Sequence, residues 1–146
     1  MLRGIVGVIV GYLAMFVVVF LCLTAAYLIM GTERVFLPGS FVADMPWMII
    51  MVIVSIIAAV IGGLVCAKVA GGSTAPKVLA VLVFVLGLLL AIGTMGDNKA
   101  AVPRTGELSN FEAMKNAKEP QWFSFANPLI GAIGVLAGAG LAKRRP

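Results

Sequence analysis

Residues 47–70 read WMIIMVIVSIIAAVIGGLVCAKVA and carry one formally charged side chain, Lys68. An apolar run of about 18 or more residues is long enough to cross a lipid bilayer as a helix. Two rows of small residues, spaced by four, run along this stretch: Ser55, Ala59, Gly63 and Ala67, and Ala58, Gly62 and Cys66. Such rows let helix backbones approach closely in lipid. The stretch therefore predicts a membrane-spanning helix that packs tightly against neighbours, with a substrate-lining face as the alternative.

The composition of the whole chain indicates that lipid is its solvent. The chain has 146 residues, of which 62% are hydrophobic and only 12% charged. A soluble domain of this size cannot bury that much apolar surface, because surface area falls too slowly relative to volume. The net charge of +5 comes from loops and a basic C-terminal tail. We therefore expect the lipid bilayer as a partner and do not expect nucleic acid.

Three further apolar runs complete the prediction of an all-α, four-helix membrane bundle in a single domain, residues 1–146. The spans are expected at residues 4–30, 47–70, 77–95 and 125–142, with a long polar outer loop at residues 96–124. Helices are favoured because a backbone in lipid must satisfy its own hydrogen bonds. Pro128 fits the first turn of the fourth span, where its missing amide costs little.

Glycine spacing suggests how the spans pack. Gly7 and Gly11 in the first span, and Gly134 and Gly138 in the fourth, each form a Gly-x-x-x-Gly pair. Because such pairs favour close helix contacts, we expect the first and fourth spans to contact each other. The predicted helix-packing residues are Gly7, Gly11, Ser55, Ala59, Gly63, Gly134 and Gly138.

The outer loop contains a helix signal and exposed aromatic candidates. Ser109 and Glu112 have the spacing of a capping box, in which each side chain bonds the other residue's amide. This predicts a short amphipathic helix near residues 110–117, ending before Pro120. Aromatic side chains follow where the chain returns to lipid. The candidates for docking a partner are Phe111, Met114, Trp122 and Phe123.

Basic residues predict the orientation. With four spans, one side of the membrane receives Arg3, Lys68, Lys77, Lys143, Arg144 and Arg145. The loops on the other side mix basic residues with acidic ones. Since basic residues favour the cytoplasmic side, both termini are expected in the cytoplasm and the long loop outside.

Several chemistries lack the residues they need. The chain has no histidine, and none of its six acidic residues lies inside a predicted span. Ionisable groups within spans are the usual sign of ion or proton pathways. Cys22 and Cys66 fall at different depths, so we expect no disulfide between them. The sequence predicts no catalytic residue, no cofactor and no metal site.

Short motifs resemble those of small uncharacterised bacterial membrane proteins with four transmembrane helices. The motifs are GYL at 11–13, LPGS at 37–40, GGLVCA at 62–67, SNFEAMKNA at 109–117 and NPLIGAIGVLAG at 127–138. The resemblance implies the four-span topology and a bacterial origin and attaches no activity. With the orientation above, we expect the protein in the bacterial inner membrane.

The main functional hypothesis is a non-catalytic accessory subunit of a larger membrane complex, associating with other membrane subunits or with itself. The alternative is a small channel or transporter that acts as an oligomer, with Thr24 and Ser55 lining a pore. A third hypothesis is a lipid-acting enzyme that uses outer-loop carboxylates: Glu107, Glu112 or Glu119.

Overall fold

The computed structural model describes residues 2–72, 74–96 and 109–143, and all regular structure in that part of the chain is helical. The helices are α1 (Leu2–Met30), α2 (Thr32–Val35), α3 (Met45–Ala70), α4 (Thr74–Gly93), α5 (Asn110–Asn116) and α6 (Gln121–Lys143). A 3₁₀ turn, Thr94–Gly96, follows α4. Four helices, α1, α3, α4 and α6, are long and apolar enough to cross a membrane. The predicted all-α class with four spanning helices is thus confirmed.

The central helix is α3, which packs against α1 on one side and α6 on the other. On the α1 side, the glycines of the first span lie directly on α3. A Cβ atom built at Gly11 would lie 2.7 Å from Cys66 Cβ and 2.8 Å from the Gly62 carbonyl oxygen. A Cβ at Gly7 would lie 2.8 Å from Ala70 Cβ. Only glycine permits this approach of two helix backbones.

The α6 side of α3 shows the same close packing through different residues. A Cβ at Gly63 would collide with the carbonyl oxygen of Val135, and one at Gly138 would collide with that of Val60. A Cβ at Gly134 would lie 2.6 Å from Ala59 Cβ. The two rows of small residues on α3 therefore serve two different partners.

The expected contact between the glycine pairs of the first and fourth spans is wrong. Both pairs lie against α3 and not against each other. The physical reason is that α3 carries two adjacent small rows. Gly62 and Gly63 point about 100° apart on a helix of 3.6 residues per turn, so α3 accepts α1 and α6 on separate faces.

The remaining long helix, α4, packs mainly on α6 and less extensively on α1. Its Gly87 faces Pro128, whose Cγ would lie 2.6 Å from a Cβ at that position. Pro128 lies inside α6, so its predicted first-turn position is wrong. α6 begins earlier because the amides of Phe123 and Ser124 donate to the Pro120 carbonyl at 2.9 and 3.3 Å.

Buried side chains fill the interior of the bundle toward the end that carries Lys68 and Lys77. Cys66 of α3, Leu79 of α4 and Val135 of α6 are fully buried and belong to one cluster with Ala59 and Ala80. The cluster brings three spanning helices together. Its side chains are closely packed where α3, α4 and α6 meet.

Two glycines on α6 provide a matched test of this packing. Gly138 lies against the Val60 backbone, whereas a Cβ at Gly140 would meet no atom within 4 Å. We expect Gly138→Val to destabilise the protein by roughly 1–3 kcal/mol or more through overpacking, and Gly140→Val to have little effect. Thermal unfolding of both variants in one detergent, followed by circular dichroism, measures the difference. Equal melting temperatures would contradict the α3–α6 contact.

Candidate functional site: the capped end of the bundle

The loop between α2 and α3 folds back on itself at one end of the bundle. Phe36 and Ala43 form an antiparallel bridge. Between them the Ser40 amide donates to the Leu37 carbonyl at 3.0 Å, and Gly39 has a positive φ of 68°. A proline followed by a glycine with positive φ is the pattern of a type II turn. The LPGS motif thus reverses the chain and returns it to α3.

The segment that follows α5 joins this loop. Val42 and Lys118 form a parallel bridge. The Lys118 amide donates to the Phe41 carbonyl at 2.9 Å, and the Ala43 amide donates to the Lys118 carbonyl at 3.0 Å. These bonds connect the two loops at this end of the bundle. We call residues 31–44 and 117–120 the cap.

Buried aromatic side chains attach the cap to the spanning helices. Val35 and Phe36 of the cap are buried in one cluster with Tyr27, Trp47 and Phe123. The rings of Tyr27 and Trp47 meet edge to face, with centroids 6.4 Å apart. The Tyr27 hydroxyl is also within hydrogen-bonding distance, 2.9 Å, of Thr32 Oγ1. Rings, apolar side chains and this polar contact together hold the cap on α1, α3 and α6.

The predicted capping box starts α5. The Glu112 amide donates to Ser109 Oγ at 3.3 Å, and the Ser109 amide donates to the Glu112 carboxylate at 3.2 Å. The Ser109 hydroxyl also bonds this carboxylate at 2.9 Å. The capping box is therefore confirmed, and Glu112 has a structural role at the helix start.

The four predicted docking residues differ in how far their side chains are exposed. Phe111 is 76% exposed and Trp122 is 62% exposed, so both rings are accessible. Phe123 is only 1% exposed, and its prediction as a docking residue is wrong. Trp122 points outward although Phe123 is buried, because successive residues on a helix lie about 100° apart. The side chain of Met114 lies outside the part of the structure that is described.

The remaining predicted residues do not gather into one site. Ser55 is half-buried on α3, in the row that faces α6. Cys22 is exposed and Cys66 buried, and both are free thiols, as the sequence predicts. Glu107 falls outside the described residues.

Glu119 is the titratable group of the cap with a perturbed environment. Burial raises the pKa of its carboxyl above the ordinary value, although part of the side chain stays exposed. A raised carboxyl pKa means that the folded state resists deprotonation. Glu119 therefore weakens the fold as pH rises through the ordinary carboxyl range.

Sequence reasoning missed a polar group inside α6. The Oδ1 atom of Asn127 is buried and has no hydrogen-bond partner among the described residues. The next residue, Pro128, has no amide hydrogen, so the Ser124 carbonyl loses its usual helical donor. Two acceptors thus lie one turn apart in a spanning helix. The available signal was an Asn-Pro pair inside an apolar run.

Comparisons with protein-family models, with curated proteins and with solved structures found no match to this chain. The functional conclusions below consequently depend on its own residues.

Neighbouring aromatic residues test the attachment of the cap. We expect Phe123→Ala to cost about 3–5 kcal/mol, the usual effect of removing a buried ring. Trp122→Ala should change stability much less, because its ring is largely exposed. Thermal unfolding of both variants in one detergent, followed by circular dichroism, separates the two. A similar loss in both variants would contradict the buried cluster.

Replacing Asn127 by leucine tests whether its amide is unpaired. Leucine has a similar volume and no polar atom, and a buried unpaired polar group costs about 1–3 kcal/mol. We therefore expect Asn127→Leu to be as stable as the natural protein or more stable. Resistance to unfolding by sodium dodecyl sulfate in mixed micelles measures this. A marked loss of stability would instead show that the amide has a bound partner in the membrane.

Proposed function

We propose that the chain is a non-catalytic integral membrane protein that serves as a small accessory subunit of a larger membrane complex. The observation that carries this proposal is the cap, a structured end with hydrogen-bonded loops, together with two exposed aromatic residues on the neighbouring helices α5 and α6. Aromatic side chains are enriched at protein–protein interfaces, where their large area contributes much of the binding energy. Phe111 and Trp122 are the side chains proposed to dock the partner.

The filled interior favours a structural role over transport by a single copy. Cys66, Leu79 and Val135 fill the interior between α3, α4 and α6 and leave no solvent-accessible surface of their own. The described acidic residues lie in the cap, in α2 or in α5, and none lies on a spanning helix. These features support a subunit whose spanning helices stabilise an assembly.

The proposed orientation places the cap outside and the opposite end in the cytoplasm. Arg3, Lys68 and Lys77 lie at the end opposite the cap, and Lys143 is the last residue of α6. Basic residues favour the cytoplasmic side of the membrane. In a bacterial inner membrane, α5 is then an amphipathic helix at the outer surface, with Phe111 facing lipid or a partner.

A channel or transporter that acts as an oligomer is the alternative function. It is favoured by one observation, the buried acceptor of Asn127 in a spanning helix. Polar side chains inside spanning helices often mark ion or substrate pathways, and opening this acceptor to a pore would require the helices to rearrange on assembly.

Co-purification tests the accessory role. The tagged protein is extracted from its native membrane in mild detergent, and the particle is analysed by mass spectrometry. We expect foreign subunits in fixed stoichiometry, with several-fold less of them after Phe111→Ala or Trp122→Ala. Leu136→Ala, which removes an exposed apolar side chain from the membrane-facing surface of α6, is the matched control. A pure monomer or homo-oligomer would contradict the accessory role, and the latter would direct attention to ion flux in liposomes.

A further inference from the structure

The end of the bundle opposite the cap is uniformly basic among the residues that the structure describes. The ends of α1, α3 and α4 meet there, because Gly4 of α1 approaches Ala75 of α4 and Gly7 approaches Ala70 of α3. The charged residues on these helix ends and at the end of α6 are Arg3, Lys68, Lys77 and Lys143. The described acidic residues, Glu33, Asp44, Glu112 and Glu119, belong to α2, α5 or the cap. A partner at the basic end should therefore be anionic.

A shallow, open groove of about 480 Å³ runs along one face of α4 from this basic end, between side chains of α4 itself. Thr74 and Lys77 line its start, and the rest is lined by valine and leucine side chains between Val78 and Leu86. The distance from Lys77 to Leu86 is about 14 Å at the rise of an α-helix. One leaflet of the hydrocarbon core is about 15 Å deep, half of the usual thickness. The groove thus matches the depth of a single leaflet.

The side chains of the groove favour a lipid chain over another helix. Helix–helix contacts in membranes depend on small residues that let backbones approach. The two close contacts of α3 in this bundle follow that rule. The groove instead presents large branched side chains, of which Val78, Val81 and Val85 are half exposed or nearly so. Such a surface suits a flexible acyl chain, which adapts to branched side chains without a close backbone approach.

The polar start of the groove has a positive charge and a hydroxyl group that can bind a phosphate. Lys77 is exposed, and within the described chain it has no carboxylate partner. Its ammonium group can therefore bind an anion without breaking an ion pair. Thr74 adds a hydroxyl one turn earlier on the same face. Arg3 brings a second positive charge to the same end, because α1 begins beside α4.

We infer that this face of α4 binds one anionic phospholipid, with its phosphate at Lys77 and one acyl chain along the groove. The head group provides the negative charge that the basic end lacks, and the chain covers the exposed valines. The site is independent of any protein partner at the cap.

Native mass spectrometry of the purified full-length protein tests this site. The probes are dioleoylphosphatidylglycerol and dioleoylphosphatidylcholine, which share acyl chains and differ in net charge. We expect one phosphatidylglycerol to be retained in preference to phosphatidylcholine. Lys77→Gln should lower this retention about fivefold, which is the usual contribution of one basic residue to binding at an anionic surface. Lys68→Gln removes the same charge elsewhere at the basic end and is the matched control, expected to keep the preference.

A second variant separates the groove from charge alone. Val81→Trp fills the middle of the groove and leaves Lys77 in place, so it should also reduce the retained phosphatidylglycerol. Because Val81 is 62% exposed, folding should be unaffected, which a melting curve verifies. Equal retention of the two lipids by the natural protein would overturn the inference. Equal losses in Lys68→Gln and Lys77→Gln would do so as well, since they would indicate diffuse attraction. A dimer that Val81→Trp abolishes would show that a second copy occupies the groove.

Discussion

The structure depends on the close approach of two helices to two adjacent faces of α3. At Gly63 and Gly138 the backbones of α3 and α6 are near enough that neither position has room for a methyl group. Gly11 gives α1 the same proximity to α3. In lipid there is no hydrophobic drive between helices, so association depends on dispersion contacts that fall off steeply with distance. Glycine is required because its lack of a side chain lets the two helix backbones approach and make more dispersion contacts.

The packing of α1 and α6 on α3 determines what happens at the two ends of the bundle. With α1 and α6 fixed on α3, Tyr27, Trp47 and Phe123 meet at one end and form the platform that holds the cap. At the other end, the same packing brings basic helix termini together without acidic residues among those described. The cap thus depends on aromatic burial and on backbone bonds between loops, whereas the basic end depends on an external anion for charge balance.

The features predicted correctly from sequence are local ones. Length and hydropathy define a spanning helix without reference to its neighbours, and the capping box involves only Ser109 and Glu112. The pairing of helices is not local, because Gly7 and Gly134 have the same spacing signal and any small row can accept either. Predicting which helix each glycine pair contacts requires knowing how the two rows of small residues are arranged around α3. The bridge between Val42 and Lys118 was equally inaccessible, since backbone amides and carbonyls carry no sequence signal.

Asn127 and Pro128 illustrate how a local rule can be overruled by packing. Proline in a helix interior removes a hydrogen bond and is usually costly. In α6 the Pro128 ring fills the space left by Gly87 of α4. These packing contacts offset the loss of the helical hydrogen bond. The adjacent Asn127 then keeps a buried acceptor beside the released Ser124 carbonyl. An accessory subunit tolerates such a polar pair if a water or a partner helix supplies donors. An ion pathway would instead need the Asn127 acceptor to reach water, although it is buried in the single copy, so a change in its exposure on assembly separates the two functions.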